Sequence, residues 1–178
     1  MATTTWVSDP MHSEISFKVK HLMITSVKGR FEQFEAKATT EEEDFSHAQI
    51  SFTAEVASVQ TSVADRDAHL RSGDFFDAET YPQIRFVSTD MRKKSNDEFE
   101  LTGNLSIRDV TKPVTLEVEF GGIVKDPYGQ TKAGFTIEGK INRKDYGLTW
   151  GALTEAGGVV VADEIKLLCE VQLVKQPS

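Results

Sequence analysis

The most constraining feature of this chain is a period-two alternation of apolar residues that recurs along most of its length. It runs through Ile15, Phe17, Val19; Ile50, Phe52, Ala54, Val56; and Phe99, Leu101, Gly103, Leu105, Ile107. It resumes at Val114, Leu116, Val118, Phe120; at Ala133, Phe135, Ile137, Gly139, Ile141; and at Ile165, Leu167, Cys169, Val171, Leu173. Successive side chains of a strand point to opposite faces, so this pattern predicts half-buried strands with one apolar face. Between residues 27 and 38 the phase slips, from Val27, Gly29 and Phe31 to Phe34, Ala36 and Ala38. A bulge near Glu32-Gln33 is expected to absorb that slip.

Tight turns separate the later strands. Asp126-Pro127-Tyr128-Gly129 has the proline and glycine positions of a type I turn. Ser95-Asn96-Asp97 and Asp109-Val110-Thr111-Lys112 are equally short connections, so strands over 83–94, 97–108, 113–125 and 131–142 should form an antiparallel meander. One helix is expected, over 63–72, with Ser62 and Asp65 as a capping pair and Gly73 as its stop. The stretch 143–162 reads as a long connection before the last strand. No repeat or linker divides the sequence, so residues 1–178 read as a single domain. Seven or eight long antiparallel strands with one apolar face suggest a sandwich or a closed barrel; strand length, the bulge and the meander favour the closed barrel, of eight strands at most, which leaves no exposed edge. Such a barrel is just wide enough to be filled by side chains or to hold one small ligand. Alternation alone leaves both interiors open.

Composition narrows the function classes. Twenty Lys and Arg against 28 Asp and Glu give a net charge of −8. That sign disfavours non-specific binding to nucleic acid or to anionic lipid surfaces, and no basic run is longer than Arg92-Lys93-Lys94. A single cysteine, Cys169, excludes an internal disulfide and a thiolate zinc cluster within one chain. No apolar run approaches a transmembrane helix. Met1 to Trp6 lacks the basic and apolar regions of a signal peptide, so a cytoplasmic protein is expected; the alternative is a periplasmic or secreted one with its leader removed.

Motifs for catalysis are absent: there is no P-loop, dinucleotide fingerprint, H-E-x-x-H or kinase signature. Asp9, His12 and Ser13 have the residue types of a hydrolase triad but lie too close in sequence to converge in its geometry. Asp65 and His69, at i and i+4 of the expected helix, face the same way. They lack the third ligand of a stable metal site, so no metal or cofactor is expected. Cys169 continues the inward phase and reads as a small core residue. Trp6 and Trp150 fall at barrel ends, either as plugs or as ligand-lining residues.

Several separate motifs together resemble the YceI-like family. They begin with Trp6-x-x-Asp9-x-x-His12-Ser13, Ile15-x-Phe17-x-Val19-x-His21 and Gly29-x-Phe31. The centre supplies Asp65-Arg66-Asp67-x-His69-Leu70, Asp74-Phe75-Phe76-Asp77-Ala78, Tyr81-Pro82 and Ile84-x-Phe86. Gly103-Asn104-Leu105-Ser106-Ile107, Val110-Thr111-Lys112-Pro113-Val114, Arg143-x-Asp145-Tyr146-Gly147-Leu148 and Asp163-x-Ile165 follow in order. The resemblance implies an all-β, lipocalin-like barrel of eight antiparallel strands that holds a polyisoprenoid or an isoprenoid quinone in its lumen. It implies binding, storage or transport without covalent chemistry. The alternative is an enzyme on a prenylated substrate, with His12, His21, Asp67 or His69 as acid–base groups. A filled barrel with no small ligand is a third reading.

The expected ligand-binding residues are Phe17, His21, Phe31, Phe52, His69, Leu70, Phe75, Phe86, Leu101, Leu105, Leu116, Phe135 and Trp150. The helix and Phe75-Phe76 are expected to close one barrel end, with the charged face Asp65, Arg66, Asp67 and His69 near water. The expected partner is the lipid itself, with no nucleic acid and no transmembrane segment; a homodimer is compatible with the chain.

Overall fold

The computed structural model describes residues 3–21, 24–148 and 161–177, with the His21 side chain left aside. The alternating segments form strands β1 (Thr3–Ser8), β2 (Glu14–His21), β3 (Thr25–Phe31), β4 (Phe34–Glu41), β5 (Asp44–Glu55) and β6 (Val59–Gln60). Helix α1 (Ala64–Arg71) follows, and then β7 (Gln83–Lys93), β8 (Glu98–Ile107), β9 (Val110–Lys125), β10 (Thr131–Asn142) and β11 (Val161–Lys175). The expected meander is β7 to β10, within a few residues at each end.

Eight strands close a ring in the order β1-β4-β5-β7-β8-β9-β10-β11 and back to β1, each pair antiparallel. The ring closes because β11 is long enough to serve two partners. Its C-terminal end pairs with β1, as Ser8 with Leu173, and its earlier part pairs with β2, as Ile15 with Cys169. From β2 the sheet continues through β3 to β6. A 3₁₀ turn over Pro10–His12 interrupts what would be one strand from β1 to β2. The ladder survives the gap, because Gln172 receives the Asp9 N–H at 2.8 Å and donates its own N–H to Ser13 Oγ at 3.0 Å.

The phase slip at 32–33 has a different origin from the expected bulge. The chain bends there and changes partners, from β2 and β6 on one side to β1 and β5 on the other. The register irregularities fall elsewhere, one of them between Gly134 and Phe135 opposite Gly121-Gly122, where Gly122 takes a φ of +108°. That conformation costs glycine little and a side-chain-bearing residue much more. The turn after β9 forms as expected, with the Gly129 N–H donating to Asp126 O at 3.1 Å.

Helix α1 begins differently from the expected Ser62–Asp65 cap. Ser62 has a φ of +71°, and its N–H donates to Gln60 Oε1. The start is fixed by Asp67, which accepts the Thr61 N–H at 2.8 Å and the Thr61 hydroxyl. Asp67 is therefore buried, 5% exposed, and does not share the wet face expected for it. The helix ends at Ser72, whose N–H returns to His69 O.

Candidate functional site

The two barrel ends are built differently. At the end carrying Trp6, aromatic rings fill the bore: Phe45 lies 5.0 Å from Trp6, 4.9 Å from Phe135 and 5.7 Å from Phe120 between ring centres. Trp6 is fully buried, and its indole N–H donates to Thr40 Oγ1 at 2.9 Å. Trp6 is therefore part of the floor; it does not line the cavity. Trp150 lies outside the described residues.

Above this floor the barrel is hollow. A cavity of about 540 Å³ reaches from Phe45 and Phe135 up to Leu70 and His69 of α1. Inward residues at mid-strand, among them Ile15, Phe17, Leu116, Ile137 and Leu167, are only partly buried although they point to the axis, because they face this space. A filled barrel would bury them completely. The volume lies within the range of small-molecule sites, and the wall is overwhelmingly apolar.

Three cross-strand glycines keep the bore open. A methyl group on Gly29 would overlap the Phe17 ring, one on Gly103 the Phe86 ring, and one on Gly139 a Leu116 methyl. Each large side chain therefore lies against the wall over a missing Cβ instead of crossing the lumen.

Of the expected ligand-binding residues, Phe17, Phe31, Phe52, His69, Leu70, Phe75, Phe86, Leu101, Leu105, Leu116 and Phe135 line the cavity. His21 is placed by its backbone alone, paired with Thr25 and Val161 at the end of β2. Lining residues missing from that set include Val19, Met91, Ile165, Leu167 and Cys169. The signal for the last three was already present in the alternation of β11. Burial pushes the Cys169 thiol up to about 11, which leaves it inert.

Charged groups gather where α1 and the 3₁₀ turn Arg143–Tyr146 meet the bore. Arg143 is almost wholly buried, and its guanidinium donates to Leu148 O at 2.6 Å, Ala162 O at 3.0 Å and Val161 O at 3.3 Å, with Asp163 at 3.6 Å. Burial lowers its pKa and Asp163 opposes that. These bonds tie the turn to β11. Arg66 donates to Thr61 Oγ1 and Thr61 O, and His69 Nε2 lies 2.9 Å from Asp74 Oδ2. His69 therefore pairs with Asp74, beyond the end of the helix. Among the described residues no group of three or more His, Cys, Asp or Glu is placed to hold a metal ion.

The other candidate chemical groups do not converge. Asp9 Oδ1 accepts the Met11 N–H, its Oδ2 lies 2.8 Å from His12 Nδ1, and Ser13 is engaged with Gln172. This is turn chemistry. His12 and Asp67 stand outside the cavity lining. The arrangement can exclude water from an apolar molecule and hold it by burial, the dominant attraction for such a ligand.

Known proteins agree with this architecture. A family model described as the YceI-like domain matches residues 6–173. Protein YceI of Salmonella newport is 39% identical over 165 residues, covering 93% of this chain and 83% of that protein. The crystal structure of the Campylobacter jejuni YCEI protein has a TM-score of 0.77 at 33% identity, covering 89% of this chain and 90% of that one. A polyisoprenoid binding domain from Saccharophagus degradans shares the fold, with a TM-score of 0.65 at 13% identity over 96% of this chain and 98% of that one. With its motifs, its ring of strands and its sequence relatives in accord, the chain belongs to the YceI-like family.

Proposed function

We propose that the barrel binds a long-chain polyisoprenoid or a prenylated quinone in its lumen, and stores or carries it without covalent change. The observation that carries this reading is the hollow apolar bore, closed by aromatic rings at one end and bordered by Asp65, Arg66 and His69 at the other. An isoprenoid tail has only apolar surface to bury, and about 25 cal/mol per Å² of buried area drives it inside. A polar head group would stay at the charged rim, where hydrogen-bonding partners and water remain. The solved barrel from Saccharophagus degradans, named for polyisoprenoid binding, supports the same ligand class. Acid–base catalysis has no support in the arrangement of His12, Asp67 and His69.

The test is mass spectrometry of an organic extract of the purified protein, followed by incubation with an added prenylated quinone. Intact co-purified or captured isoprenoid is the expected result. Chemical turnover of the added compound overturns the non-catalytic reading, and an extract and uptake assay both free of isoprenoid overturn the ligand class.

A further inference from the structure

The outer wall of the barrel separates charge in a way that the net charge of −8 conceals. Lys140 on β10 is the register partner of Lys166 on β11, Lys166 that of Lys18 on β2, and Lys18 that of Lys28 on β3. Their chain neighbours Gly139, Leu167, Phe17 and Gly29 form the row on the lumen side, so these lysines share the outer face. Like charges placed directly opposite one another destabilise a sheet. The protein does little to offset them. Lys140 reaches Glu164 at 3.8 Å, whereas Lys18, Lys28 and Lys166 form no ion pair among the described residues.

A like-charged acidic row, Glu100–Glu117–Glu138 across β8, β9 and β10, makes the contrast. Arg92 neutralises Glu100 at 3.1 Å, and Lys94 neutralises Glu117 at 2.9 Å. Among the described residues the acids beside the lysine row are Glu164, already held by Lys140, and Glu138, two residues along β10. Two of the three acids in that row are compensated from within, against one of the four lysines, and the rest of the basic row is left for something outside.

The basic row also sits at the open end. Lys18 is three residues from the end of β2, about 10 Å at the usual rise of a strand. Ile24, 80% exposed, follows in the connection to β3. The ends of β10 and β11 that carry Lys140 and Lys166 lead to the Arg143 turn, which borders the cavity opposite its aromatic floor.

We propose that the Lys140–Lys166–Lys18–Lys28 collar, with Ile24 at its tip, docks the mouth of the barrel on an anionic lipid bilayer. Charge complementarity selects this occupant: closely set lysines are attracted to anionic head groups within a Debye length of the surface. An exposed aliphatic tip adjoining them enters the interfacial layer. The proposal rests on the lipid-binding reading only for its purpose, exchange of a lumen ligand with a membrane; docking itself does not require that ligand.

The test is flotation of the whole chain with isoprenoid-free vesicles, of phosphatidylcholine alone or with about 30% phosphatidylglycerol, in about 0.1 M salt. Association with the anionic vesicles alone is expected, lost when the salt is raised about fivefold. Lys18→Gln/Lys28→Gln/Lys166→Gln should weaken it by roughly tenfold or more, while Lys93→Gln/Lys125→Gln/Lys175→Gln at the floor end, with the same change in net charge, should not. Ile24→Ser should weaken it as well.

Equal behaviour of the two triple variants, or no preference for anionic vesicles, overturns the proposal. So does a salt-sensitive dimer dissolved by the collar variant without any vesicle binding, since the occupant is then a second copy of the chain. Preferential capture of duplex DNA over vesicles overturns it in the same way. Because the vesicles contain no isoprenoid, docking can hold while the ligand reading fails, or the reverse.

Discussion

The ring of Phe17 lies on the backbone of Gly29, its register partner across the β2–β3 ladder, in the space a Cβ would occupy. The same device recurs where Phe86 lies over Gly103. These pairs decide whether an eight-stranded barrel with this many phenylalanines is solid or hollow.

Gly29→Ala should therefore fill the lumen without unfolding the barrel. The nearest atoms to the new methyl group are all at the far end of the Phe17 ring, a side chain that can swing toward the axis. Uptake of a fluorescent isoprenoid analogue should fall several-fold, with little change in the denaturation midpoint. At Gly103 the added methyl group also meets the carbonyl oxygen of Val87, which cannot rotate away. Gly103→Ala should thus destabilise the fold by about 1–3 kcal/mol, the usual cost of overpacking. Denaturant melts of both variants check the contrast.

Leu101 is 4% exposed and faces the cavity from β8. Leu101→Glu would place a carboxylate in an apolar wall with no partner, at a cost of several kcal/mol or an elevated pKa. Ligand uptake should be lost at neutral pH. Normal uptake and stability would show that the residue faces outward.

The strand pattern was readable because period two survives any partner choice: β7 to β10 follow directly from the alternating residues and the turns between them. What the pattern could not convey is which strands lie beside which. The bend at 32–33 looked like a bulge because a change of partners and an extra residue shift the phase alike. The cap of α1 escapes the pattern for a related reason, since Asp67 reaches back to Thr61 over a connection in which Ser62 turns through the left-handed region. The lysine row was invisible for the same cause. Lys18, Lys28, Lys140 and Lys166 are scattered in sequence, and only the lateral register aligns them. The hollow lumen depends on Phe17 and Phe86 lying over glycines, which alternation records merely as small inward residues.

The ion pair of Asp9 with Lys132, 2.8 Å apart, links the β1–β2 interruption to β10. The Lys132 hydrogen bond, with help from His12 and the Met11 N–H, lowers the Asp9 pKa to about 2. A depressed carboxylate pKa contributes stability that is present above its unfolded value of 3.8 and is lost as pH falls through about 2. The Lys132 pKa is raised, first by the same hydrogen bond, so its contribution holds below its unfolded value of 10.5 and fades as pH rises past its folded value. Asp9→Ala should cost about 1.5–3 kcal/mol at neutral pH, as for a hydrogen bond to a charged group. The variant should also lose the acid-side slope between about pH 4 and 2 that the parent shows in denaturation measured against pH. An unchanged slope would assign that part of the acid transition to other carboxylates.

Helix α1 is the element best placed to gate the bore. A closed barrel must admit a long chain at one end, and a short element with few core contacts opens most readily. Leu70 and His69 line the cavity, while the buried Asp67 holds the helix start to Thr61 through two hydrogen bonds. Asp67→Ala leaves the buried Thr61 N–H without its acceptor, a penalty of about 1–3 kcal/mol falling on the open–closed balance of this segment. Amide exchange over residues 61–71 should accelerate, and association and dissociation of an isoprenoid analogue should both quicken several-fold with little net change in affinity. Stopped-flow fluorescence measures the two rates, and hydrogen exchange shows whether the opening is local. If exchange accelerates at the helix while both ligand rates stay fixed, α1 is a rigid cover and the ligand enters elsewhere around the rim.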